Sequence, residues 1–79
     1  MIIDDFTIEK ETIERAAKGN TYAKFNIKNH LRKWLEAYGK DHAQIEAQHI
    51  IIHSIAFLKK EDIDKYSDEL MKFINEFKD

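Results

Sequence analysis

With 79 residues, 35% of them charged, and a formal net charge of -2, the chain is sized for a single domain over 1–79. That is near the lower limit at which one core suffices without a disulfide or a structural metal. Cysteine is absent, which excludes a disulfide framework and thiol chemistry and fits a reducing compartment.

The opening MIIDDFTIEK is too acidic, and its apolar run too short, for a signal peptide, and no window approaches bilayer-spanning length. A cytoplasmic protein with no membrane contact is expected. Proline is absent and the two glycines, Gly19 and Gly39, fall where helices should stop. The expected fold is all-α, a compact bundle of four helices over about 4–18, 23–38, 42–58 and 61–78, with the third central.

The first helix starts at Asp4, Asp5 or Thr7. Asp4 has the better local grammar, because Ile3 and Ile8 then form a hydrophobic staple across the cap. Acids crowd its first turns and Arg15 and Lys18 its last, as the helix dipole prefers. Gly19-Asn20 ends it. In the second helix Ile27, Leu31, Trp34, Leu35 and Tyr38 recur at spacings of four, three, one and three, one apolar stripe. On that stripe Trp34 and Tyr38 read as core.

The stretch ERAAKGNTYAKFNI, residues 14–27, resembles the junction between helices in Sel1-like repeats, relatives of the tetratricopeptide repeats. Ala16, Ala17, Gly19, Asn20 and Ala23 stand where that family places an Ala-Ala pair, a Gly-Asn turn and a following Ala. The match covers fourteen of 79 residues, with no second clear copy. The resemblance implies an antiparallel helix pair.

Gly39 stops the second helix, and Asp41 is the expected N-cap of the third. From Ala43 to Leu58 the sequence reads AQIEAQHIIIHSIAFL, the densest apolar stretch in the chain. At 100° per residue Ala43, Ala47, Ile50, Ile51 and Leu58 fall on one side, and Ile45, Ile52 and Ala56 on another. Such a helix is normally buried. Three short neighbours can cover only part of it. A break is expected near residues 59 to 62, although a four-three alternation from Ile45 to Phe77 would also suit one long coiled-coil helix. In the fourth helix Ile63, Tyr66, Leu70, Phe73 and Phe77 repeat at three and four; Ser67 could cap a fresh helix, but the unchanged register favours continuity.

Charge is segregated. From Arg15 to Lys40 seven basic residues oppose Glu36 alone, whereas both ends of the chain are acidic. Lys24, Lys28 and Arg32, at i, i+4 and i+8 of the second helix with Lys40 near its end, form the kind of row that phosphates attract. A helix-turn-helix around Gly19 fails, because the residue four before the turn glycine should be small and is Arg15. The third helix, with no Lys or Arg between Ala43 and Leu58, cannot reach base edges as a recognition helix.

His42, Glu46, His49 and His53 lie at i, i+4, i+7 and i+11, within about 60° of one another on the third helix. His49 and His53 could chelate a metal across one turn, and Glu46-x-x-His49 is half of a di-iron bundle pattern. No second Glu-x-x-His exists, so a solvated stripe is the simpler expectation and no cofactor is expected. Catalysis has little support: there is no cysteine nucleophile, phosphate loop or HExxH, and Ser54 and His53 are neighbours that do not face each other on a helix.

The expected function is therefore a small non-catalytic, regulatory protein–protein interaction module of adaptor or inhibitor type, with a homodimer as one form of partnership. Its docking residues would be Ile45, Ile52, Ala56 and Tyr66, tyrosine being of the amphipathic type that anchors interfaces. The alternative is a nucleic-acid-binding regulator using Lys24, Lys28, Arg32 and Lys40.

Overall fold

Both glycines do end helices, each by a local backbone rule. In a computed structural model that describes residues 8–77, α1 (Lys10–Ala17) is followed by α2 (Thr21–Tyr38), α3 (Lys40–Ser54), a 3-10 turn (Ile55–Phe57) and α4 (Lys60–Asn75). At the end of α1, Gly19 adopts φ 101°, Gly19 N–H donates to Ala16 O and Asn20 N–H to Arg15 O. This is the paired closure of a Schellman motif. Asn20 then opens α2, its Oδ1 accepting from Ala23 N–H at 2.9 Å, so one residue closes a helix and caps the next.

Five boundaries differ from expectation by two residues or more, α2 beginning at Thr21 rather than 23. Glu9 is extended, with φ -72° and ψ 142°, so α1 begins at Lys10 rather than Asp4; the proposed Asp4 start itself lies outside the described residues. The third helix begins at Lys40, with Gly39 rather than Asp41 at its cap position, which places Asp41 in the first turn where the dipole favours an acid. Its last turn tightens to 3-10 and ends at Phe57. Helix α4 stops at Asn75, leaving Phe77 beyond it.

Leu58 and Lys59 are both extended, at ψ 146° and 151°, so the single long helix is excluded. No break occurs at Ser67. Among the described residues there is no strand, and no helix is long and apolar enough to cross a membrane.

The core collects one stripe from each helix: Ile13 and Ala16 of α1, Ala23, Ile27, Leu31 and Leu35 of α2, Ala43, Ala47, Ile50 and Ile51 of α3, and Tyr66, Leu70 and Ile74 of α4. Four of these are alanines that let backbones approach closely, and Ile27, Leu31, Ile50 and Ile74 fill the centre. Helix α3 contacts all the others, which makes it the central element. Trp34 is half-buried at the edge of the core, whereas Tyr38 is exposed, a correction to its reading as core. One turn nearer the end of α2, Tyr38 packs between Trp34 and His42 of α3 with tilted rings, the centroids 5.0 and 5.8 Å away.

Candidate functional site

Helix α3 sorts its apolar residues by angle. Ala43, Ala47, Ile50, Ile51 and Ser54 face inward and are buried. Ile45 and Ile52 lie on the opposite side of the cylinder, seven residues and about two turns apart, and are 66% and 63% exposed. Ala56, Ile55 and Phe57 of the 3-10 turn extend the exposed strip. Between His42 and Leu58 the only residue with a formal charge is Glu46, and it is half-buried. An exposed, nearly charge-free strip is unusual on a chain with so many charges, and charge depletion marks the centre of binding patches. Lys18 Nζ stands 5.6 Å above the Phe57 ring and marks one edge of the strip.

Tyr66 does not join that surface. It is buried in the core against α3, on the face of α4 that also carries Leu70 and Ile74. Its hydroxyl has no hydrogen bond of good geometry; the adjacent Ser54 Oγ commits its proton to Ile50 O at 2.7 Å. Burial pushes the Tyr66 phenol above its ordinary value, the Ser54 hydroxyl opposes that rise, and Glu69 adds to it. Of the four docking residues read from sequence, three are together at the surface and Tyr66 is structural.

The histidine stripe divides. His42 turns to Tyr38. Glu46 turns inward, its Oε2 3.3 Å from Nε2 of His30 on α2, while its Oε1 lies 4.0 Å from His49 Nδ1. His49 and His53 stack on each other at 4.8 Å between centroids and line a groove of about 300 Å³ with Ile8, Lys10 and Ile13. Among the described residues no group of three or more His, Cys, Asp or Glu is placed to hold a metal ion. His30 was missed in the sequence. The signal was its place three residues after Ile27, on the buried side of α2, where a polar residue needs a partner.

The basic row is also split. Lys24 is half-buried and lines grooves with Tyr66 and Glu69 of α4. Lys40 reaches the far end of α4, its Nζ 3.5 Å from Asn75 O. Lys28 and Arg32 remain exposed on α2, Arg32 Nη2 donating to Asn29 Oδ1 at 3.1 Å. The structure sets beside them two exposed aromatics of the same helix, Tyr22 and Phe25. Comparison of the chain with protein-family models, with curated proteins and with solved structures finds no match to any of them.

Proposed function

We propose that the chain is a small non-catalytic protein–protein interaction module, of adaptor or inhibitor type and acting in the cytoplasm, that docks through the outer side of α3. The observation that carries this reading is the exposure of Ile45 and Ile52 on one uncharged strip. Water around that strip is released when an apolar surface covers it.

The partner the strip fits best is a second copy of the chain. Ile45, Gln48, His49 and Ile52 are spaced three, one and three, a pattern that reads the same in both directions. Two α3 helices laid antiparallel about a two-fold axis between Gln48 and His49 set Ile45 of each against Ile52 of the other, as an isologous interface requires. The absence of formal charge on the strip avoids like-charge contacts across that axis. Four isoleucines contribute at most about 6–12 kcal/mol on burial, against an association cost of about 4–15 kcal/mol. The pairing is accordingly weak and reversible.

The test is sedimentation velocity over a concentration series reaching about 1 mM, the weak end of specific association. The expected result is a concentration-dependent dimer that survives raised salt and disappears in Ile45→Glu and Ile52→Glu with the helical circular dichroism unchanged. A monomer throughout that range, or a dimer indifferent to both substitutions, removes the second copy as the partner.

A further inference from the structure

The outer face of α2 has a composition unlike that of α3. Tyr22 is 75% exposed and Phe25 59%, and Phe25 has no polar atom with which to reward contact with water. At 100° per residue Tyr22, Phe25, Asn29 and Arg32 fall on the side of α2 away from Ile27 and Leu31, with Lys28 at its margin. Within α2 four cations, Lys24, Lys28, Arg32 and Lys33, oppose the single acid Glu36. Two aromatic planes are therefore followed by two cations along one face, from the start of the helix to beyond its middle.

We propose that this face of α2 is a binding platform for single-stranded nucleic acid, separate from the α3 strip and independent of its occupant. The charge specifies a polyanion, because Lys28 and Arg32 attract phosphates and release their counterions. The aromatics specify which polyanion. Tyr22 and Phe25, three residues and about 4.5 Å apart along the axis, project flat faces on which unpaired bases stack. A closed duplex keeps its base faces inside and presents only edges and backbone to such a surface.

Arg32 is held in place by Asn29 Oδ1 through one guanidinium N–H, and its remaining donors are available to a phosphate. Glu36, one turn further along, closes the track by repulsion, so the strand lies over the first three turns of α2. Lys24, half-buried in the α2–α4 groove, and Lys40, which reaches α4, take no part, whereas Lys28 stands exposed at the rim of that groove.

Fluorescence anisotropy with labelled oligo(U) and oligo(dT), and with a hairpin duplex of equal length, tests this across a salt series. The single strands bind at least about tenfold tighter than the duplex, stacking being available only to unpaired bases. The slope of log affinity against log salt lies near -1.4 for two phosphate contacts. Tyr22→Ala and Phe25→Ala each weaken single-strand binding about fivefold to a hundredfold with the slope unchanged. Lys28→Gln and Arg32→Gln each reduce the slope by about 0.7. All four side chains lie at the surface, and circular dichroism verifies the fold of each variant. The Ile45→Glu variant binds as the parent does, which separates this outcome from the fate of the α3 proposal. Three results overturn it: no binding at low salt, equal affinity for the duplex, or affinity unmoved in the Tyr22→Ala, Phe25→Ala double variant.

Discussion

His30 Nε2 on α2 lies 3.3 Å from Glu46 Oε2 on α3, with the two side chains 5% and 14% exposed. The approach is close but poorly aligned, so Nε2 has no true hydrogen bond. It is nonetheless a polar link between α2 and α3 amid the apolar residues of their contact. Removing one member leaves the other buried without a neighbour, and Glu46→Ala is expected to cost about 1–3 kcal/mol. Replacing both, His30→Leu with Glu46→Leu, is expected to recover most of that loss, since apolar substitution of a buried pair is often neutral or better. Urea denaturation of the two singles and the double completes the cycle; strictly additive losses would show that the pair is not coupled.

Tyr66→Phe removes a buried hydroxyl that lacks a partner, so it is expected to leave stability unchanged or raise it by up to about 1 kcal/mol. It also alters the alkaline limb. Burial holds the folded phenol above its ordinary 10.0, so above pH 10 the unfolded chain releases this proton while the folded chain keeps it. The contribution is intact below pH 10, declines above it, and is lost once the pH passes the raised value. Unfolding followed from pH 9 to 11.5, a window around the ordinary phenol value, should fall less steeply in Tyr66→Phe than in the parent. Parallel curves would mean that another group governs alkaline unfolding.

Gly19 adopts φ 101° with open space where a Cβ would stand. The cost of a side chain there is therefore conformational. Gly19→Ala is expected to lose about 1–2 kcal/mol, and Gly19→Asn less, because asparagine enters the left-handed region more readily. In a domain of this size that corresponds to a fall of about 4–8 °C in Tm per kcal/mol. An alanine variant melting with the parent would contradict the Schellman closure of α1.

The two sides of α3 should answer mutation differently. Ile50→Ala, at 1% exposure, opens a cavity and is expected to cost about 2–5 kcal/mol. Ile52→Ser, two positions on, is expected to change monomer stability by no more than about 0.5 kcal/mol while raising solubility. Thermal melts at low concentration compare them, and equal losses would place Ile52 in the core.

The division of α3 was visible in the sequence because angle alone separates Ala43, Ala47 and Ile50 from Ile45 and Ile52 (seven residues return to nearly the same side). Gly19 and Gly39 were visible for a similar reason: a residue free to take positive φ, placed after a periodic stripe, has few other uses. What escaped depends on neighbours. Acids at 4, 5, 9 and 11 all suit a helix start, so the cap of α1 could not be chosen by type. Residue type alone puts Tyr66 and Lys24 at the surface, yet they meet in the α2–α4 groove, which only the packing of those helices defines. The nearness of His30 to Glu46 likewise needs the crossing of α2 and α3, sixteen residues apart in sequence. Tyr22 and Phe25 were invisible as a pair because nothing in sequence says that no helix covers them.

Gly39 is the whole connection between α2 and α3, so the rotational phase of one helix is locked to the other. A single inserted residue at that joint would spin α3 by about 100°, carrying Ala43, Ala47 and Ile50 off the centre of the bundle. The extended Leu58-Lys59 link before α4 couples its helices less rigidly and can absorb extra length. Chain length is thus metered tightly at this joint, which decides which isoleucines meet water.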